Sequence, residues 1–214
     1  MAKQTIDGGP DPTINSQLLS LIANAKRLGM SKNGIETAIA RGQGISANGQ
    51  ALESINVEFL FPDSNIAGIM ECQTDNKRRL MMVINEGLKN AGAINTSVAF
   101  MFDRRGKIVF KKLDKWDEDA VLEKAIDAGA NDVNTEEDEV VVLTEANEVA
   151  AVADAMSLSL GSKPESQDLV WVPKDDMAVD SKLITDESQA QLDRLFMKVE
   201  EEDQSIQETY FNIV

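Results

Sequence analysis

From Ser54 onward the apolar residues of this chain leave helical spacing and gather into runs of strand length, each followed by helical periodicity. That alternation restricts the fold to small sheets with helices laid on them. INVEFLF (55–61) and IAGIMECQ (66–73) are separated by the turn residues Pro62-Asp63-Ser64-Asn65. Asp75-Asn76 can cap a helix in which Leu80, Val83, Ile84 and Leu88 share one face, ending at Gly92. SVAFMF (97–102) and KIVFKK (107–112) then flank Asp103-Arg104-Arg105-Gly106, a hairpin signal with Gly at the bend. The order expected over 54–112 is β-β-α-β-β.

A second block follows. Asp117-Glu118-Asp119 puts acid in the first turn of a helix through VLEKAIDAGA, where the helix dipole favours it. Strands are expected around Val133 and over 139–144, a helix over 146–158, a loop from Gly161 to Ser166, and a strand at LVWVP (169–173). The tail offers a helix over 186–200, with Leu192, Leu195, Phe196 and Val199 on one face, and a strand near Ile206–Ile213. A lone helix and strand need a sheet to join, and the first block lacks helical cover. The tail is therefore expected to return to it.

Upstream, Asp7 to Pro12 reads as a loop, and Leu18, Leu19, Ile22 and Ala25 as a helix stopped by Gly29. Ser31 can cap a second helix through Ile35, Ala38 and Ile39, with a linker over 42–50. Two short helices bury little core by themselves. The fold class is α+β: a small, incomplete N-terminal helical domain (1–50), an α/β domain (51–112 with 179–214), and an inserted acidic α/β domain (113–178). Each sheet is open-faced and ferredoxin-like, with helices on one side.

Composition excludes several chemistries. The 214 residues contain no histidine, which removes His bases, His-based triads and His-containing zinc sites. Cys72 is the only cysteine and sits in an apolar run, so disulfide frameworks, redox pairs and Cys clusters are excluded, and a buried thiol is expected. No apolar run reaches the roughly 18–20 residues of a membrane span. There is no GxxxxGK[ST] loop, no GxGxxG after a strand and no calcium-loop pattern. The acidic runs Glu136-Glu137-Asp138-Glu139 and Glu200-Glu201-Glu202-Asp203 read as solvated surface. Trp116 and Trp171 are isolated, so no stacking platform for single strands is expected. Neither a catalytic residue, a metal nor a cofactor is indicated.

Charge is divided unevenly. The net charge is −16, yet residues 113–214 hold 7 basic against 27 acidic side chains, while 1–112 are mildly basic. The far field repels polyanions, and a local basic face survives only in the first half. Its most informative cluster is Lys77-Arg78-Arg79, which follows the Asp75-Asn76 cap and occupies a helix's first turn. Positive charge there costs about 0.3–1 kcal/mol each, and a bound phosphate reverses the sign. Arg104, Arg105 and Lys107 at the expected hairpin tip add three more cations.

ECQTDNKRR (71–79), SVAFMFDRRGKIVF (97–110) and AIDAGANDV (125–133) resemble the YebC/PmpR family. So do GGPDPTINSQL (8–18), NAKRLGMSKNGIETAIARGQG (24–44), KPES (163–166), VWVP (170–173) and the closing ETYFNIV. The matches are collinear over nearly the whole chain. The stretch between Gly42 and Met70 lacks the Tyr-Gly-Pro-Gly-Gly turn of bacterial members and looks like the fungal mitochondrial branch. That branch belongs with the translational activators of cytochrome c oxidase. Met1-Ala2-Lys3 corresponds to the end of the family's first long helix, so the basic stretch that usually opens members has no counterpart here.

The resemblance implies three domains, the third inserted in the second, with no enzyme activity. It implies a translation factor associated with the mitoribosome and its ribosomal RNA, in the mitochondrial matrix, with the cytoplasm as the alternative compartment. The alternative function is a DNA-binding transcriptional regulator. DNA ranks second because the net charge opposes it and the helix over 31–41 offers only Lys32, Asn33, Glu36 and Arg41 for base reading. A third reading is a protein-interaction adaptor acting through the acidic face. Neither a membrane nor a small-molecule substrate is expected as a partner. The residues expected at phosphate are Lys26, Arg27, Lys32, Arg41, Lys77, Arg78, Arg79, Arg104, Arg105 and Lys107.

Overall fold

The computed structural model describes residues 9–46, 48–113, 116–135, 138–202 and 205–214. Asp7 and Gly8 of the expected opening loop, Glu136 and Glu137 of one acidic run, and Asp203 of the other lie outside them. In chain order the first elements are α1 (Ser16–Arg27), α2 (Lys32–Gly42), β1 (Glu53–Phe61), β2 (Ile66–Thr74), α3 (Lys77–Ala91) and β3 (Ile94–Asn95). Then come β4 (Phe102–Lys111), α4 (Glu118–Asp127), β5 (Asp132–Thr135), β6 (Glu139–Glu145), α5 (Val149–Leu160), β7 (Ser166–Pro173), α6 (Asp186–Glu202) and β8 (Ile206–Phe211). The strands form two four-stranded antiparallel sheets, ordered β3-β1-β2-β8 and β5-β6-β4-β7. No helix of the described residues is long and apolar enough to cross a membrane.

The chain divides into two compact units. The first comprises Met1–Phe61, Met70–Asn95 and Thr185–Thr209; the second Pro62–Ile69, Thr96–Ile184 and Tyr210–Val214.

Both N-terminal helices begin where a polar side chain can cap them. The Asn15 side chain accepts the Leu18 N–H at 3.0 Å, and Ser31 Oγ accepts the Gly34 N–H at 3.1 Å. Leu18, Ile22, Ala25 and Ile35 bury one small cluster. Leu19, expected on that face, is 54% exposed, because it lies one position round the helix from Leu18. The expected linker closes on itself through an Ile45–Ala51 bridge.

In the first unit, Leu80, Val83, Ile84 and Leu88 of α3 are buried, as their spacing predicts. Leu192, Leu195 and Val199 of α6 are buried too, with Phe196 half-buried. The helices meet at Gly87, where a Cβ would lie 3.1 Å from Val199 Cγ2 and 3.3 Å from Leu195 Cδ1. Glu86 and Lys198 pair at 3.3 Å beside that approach. The tail strand β8 returns to β2, with Gln73 N–H donating to Ser205 O at 2.8 Å.

Just past β8, in the second unit, Asn212 is fully buried. Its Oδ1 accepts the Ala67 N–H at 2.8 Å, and its Nδ2 donates to Asn65 O at 3.2 Å and Met177 O at 2.8 Å. One side chain thus fastens the β1–β2 turn, the segment before α6 and the C-terminal strand to one another.

The second sheet corrects the hairpin expectation. Asp103-Arg104-Arg105-Gly106 is no turn; β4 runs straight through it, with Arg105 opposite Glu145 and Val170, and Gly106 opposite Thr144 and Leu169. SVAFMF is a short 3-10 turn over Ala99–Met101 leading into that strand. Gly106 is there for clearance: a Cβ would collide with Val149 and with Thr144 Oγ1. The strand that the sequence places in the first α/β domain therefore pairs with β6 and β7 of the inserted block. Ile108, Phe110, Val140 and Val142 form the core face, packed against Val121 and Ala125 of α4 and Val152 and Met156 of α5. Trp116 packs at its margin.

Candidate nucleic-acid interface

The first turn of α3 is built by Thr74 and Asn76. Thr74 Oγ1 accepts the Asn76 N–H at 3.0 Å, and Asn76 Oδ1 accepts the Arg79 N–H at 3.0 Å. The cap expected from Asp75-Asn76 is therefore Asn76, and it consumes one of the N–H groups that a phosphate would use. The N–H groups of Lys77 and Arg78 remain directed out of the helix end, since a first turn has no intrahelical acceptor for them. Lys77 approaches Glu53 at 4.0 Å and Arg79 approaches Asp75 at 3.9 Å. Both pairs are long; Lys77–Glu53 is exposed on both sides and restrains Lys77 little, whereas Asp75 is largely buried beside Arg79. Arg78 is exposed and in no ion pair among the described residues. Three cations thus stand at the positive end of a 15-residue helix, where the dipole disfavours them and an anion would be favoured.

The other expected cations are distributed differently. Lys26 and Arg27 are exposed in the last turn of α1, the end where the dipole favours them. Lys32 opens α2 and pairs with Glu36 at 3.6 Å; Arg41 closes it, half-buried. Arg104, Arg105 and Lys107 do not form a tip cluster, because the segment is a continuous strand with no tip, with Arg105 and Lys107 on one face. Arg105 is committed across the sheet to Glu145, and to Asp103 at 3.4 Å. Arg104 lies on the opposite face, 4.9 Å over the Trp171 ring. Lys107 stands between Leu143 and Asp168 in register.

Trp171 is the residue that sequence reasoning passed over. It looks isolated because its partner is 67 positions away, and only the pairing of β4 with β7 brings Arg104 opposite it. Cys72 is buried in β2. Among the described residues no group of three or more Asp, Glu or Cys side chains is placed to hold a metal ion.

Comparisons with known proteins bear on this arrangement. The family model described as TACO1/YebC second and third domain matches residues 52–213. A protein of Hyphomonas neptunium named a probable transcriptional regulatory protein is 38% identical over 172 residues, spanning 78% of this chain and 67% of the relative. The crystal structure of a conserved hypothetical protein from Aquifex aeolicus superimposes with a TM-score of 0.66 at 26% identity, covering 100% of this chain and 85% of that one. With the family model spanning both sheets and their helices, the chain belongs to the TACO1/YebC family.

Proposed function

We propose that this protein is a non-catalytic regulator of gene expression that contacts nucleic-acid phosphate through the first turn of α3, acting on DNA as a transcriptional regulator. The observation that carries the phosphate contact is Lys77-Arg78-Arg79 at a helix N-terminus, with Arg78 exposed and unpaired among the described residues. The name of the Hyphomonas relative supports the transcriptional assignment. Lys26, Arg27, Lys32 and Arg41 supply further phosphate contacts from α1 and α2. A gel shift against duplex DNA tests the reading: a complex below micromolar protein at physiological salt, surviving competitor DNA, is the expected result. Its absence refutes action on DNA.

A second reading, a ribosome-associated translation factor in mitochondria, rests on a different observation. The −16 net charge penalises binding to bare duplex. RNA whose charge is already offset by basic proteins escapes part of that penalty. Co-sedimentation with mitoribosomes at two salt concentrations separates the readings, and a protein found only in free fractions at low salt eliminates this one.

A further inference from the structure

We propose that a groove on the second sheet, on the face away from α4 and α5, docks a cationic polypeptide segment. The groove has a volume of about 470 Å³, within the roughly 300–1,000 Å³ of sites that enclose ligands. Its apolar floor is Leu143, Val172 and Pro173. One wall is already neutralised: Asp103 meets Arg105 at 3.4 Å and Lys174 at 3.8 Å, and Arg105 also holds Glu145. Both lining cations are thereby spent. Asp132, Asp175 and Asp176 line the same groove and, among the described residues, enter no ion pair.

Charge complementarity and shape together select the occupant. Four aspartates against Arg105 and Lys174 leave the lining at −2, so an anion is excluded. Lysine and arginine carry an aliphatic stem behind a cationic head, which matches an apolar floor beneath a carboxylate rim. Residues 113–214, which supply most of the lining, carry a balance of −20. A field that extends beyond the groove rewards a long polycation over a compact one. A basic segment of a protein meets all three conditions, and this site is independent of the phosphate contact proposed at α3.

The test uses the full chain and a fluorescent peptide of alternating lysine and alanine, followed by anisotropy at low and physiological salt. Binding in the micromolar range is expected, with methyl shifts at Leu143 and Val172 on titration. D175N with D176N should weaken binding about three- to tenfold, while D119N with E123Q, the same charge change on exposed positions of α4, should weaken it about twofold or less. Thermal melts confirm that both variants fold. No binding, or shifts that spare Leu143 and Val172, overturns the proposal. Equal weakening by the two variants also overturns it, since net charge alone would then be responsible. Spermine that competes with affinity equal to the peptide's overturns the polypeptide as occupant.

Discussion

Replacing Asn212 with Ala removes three hydrogen bonds that join segments 145 and 35 residues apart in sequence. The Ala67 N–H is fully buried and loses its only side-chain acceptor, whereas Asn65 is exposed and its carbonyl can turn to water. Met177 O lies between these cases. A buried group left unsatisfied costs about 1–3 kcal/mol, so one full and one partial loss give about 2–4 kcal/mol in all. Against a typical stability of about 5–15 kcal/mol, that is a large share. Urea unfolding followed by tryptophan emission should show a lower midpoint with an unchanged slope. Asn212→Asp sharpens the test. It keeps the acceptor for Ala67 but aims a carboxylate at two carbonyls, so burial and those carbonyls raise its folded-state pKa above the ordinary value. Its stability loss should therefore be smallest in acid and grow as pH rises from the unfolded value towards the folded one. A loss under about 0.5 kcal/mol for Asn212→Ala would mean that water replaces the side chain and that Asn212 is no clamp.

Gly106→Ala should cost about 2 kcal/mol or more, because the new methyl meets the branched side chains of Val149 and Thr144, which have little rotamer freedom; a melt unchanged from wild type would contradict this. Arg104→Gln should cost about 0.5–1 kcal/mol and alter tryptophan emission through Trp171, while leaving nucleic-acid binding as it was. The Asp11 carboxyl is held below its ordinary 3.8 by the Thr13 hydroxyl and then the Thr13 N–H. A lowered carboxyl contributes stability above the unfolded value and loses it as pH falls through the folded one. Carbon-detected titration should accordingly place its midpoint below 3.8, and Thr13→Ala should move it up.

Helix periodicity was the most legible signal, and α3 shows why. Its cap residue, its apolar face and its Gly92 stop are local, so the sequence carries them completely. The return of the tail to the first sheet was also legible, since an isolated strand has to pair. The failure at Asp103–Gly106 has a definite cause: acid, two cations and glycine are turn composition, and period alone cannot separate a turn from a charged strand. In the structure Arg105 reaches Glu145 across the sheet, Asp103 pairs with Arg105 and Lys174, and Gly106 gives room to Val149, facts that depend on β6, on the residue after β7 and on α5. The same long-range pairing hid the stacking of Arg104 on Trp171 and scattered three expected phosphate ligands. Only the cations of local, helix-borne clusters kept the placement that their spacing implied.

Whether Lys77, Arg78 and Arg79 hold phosphate is read from the salt dependence of binding. Replacing all three with Gln should leave the fold intact or slightly more stable, because cations leave the positive end of the α3 dipole. The slope of log K against log salt for duplex DNA should flatten by up to about 0.9 for each phosphate no longer neutralised, or about 2.7 in total, and the slope for ribosomes should flatten too. Gln at Lys124, Lys163 and Lys182 changes net charge equally and should leave the slope near that of wild type. A triple variant that folds and binds with the wild-type slope would contradict phosphate binding at α3 and place it elsewhere on the molecule.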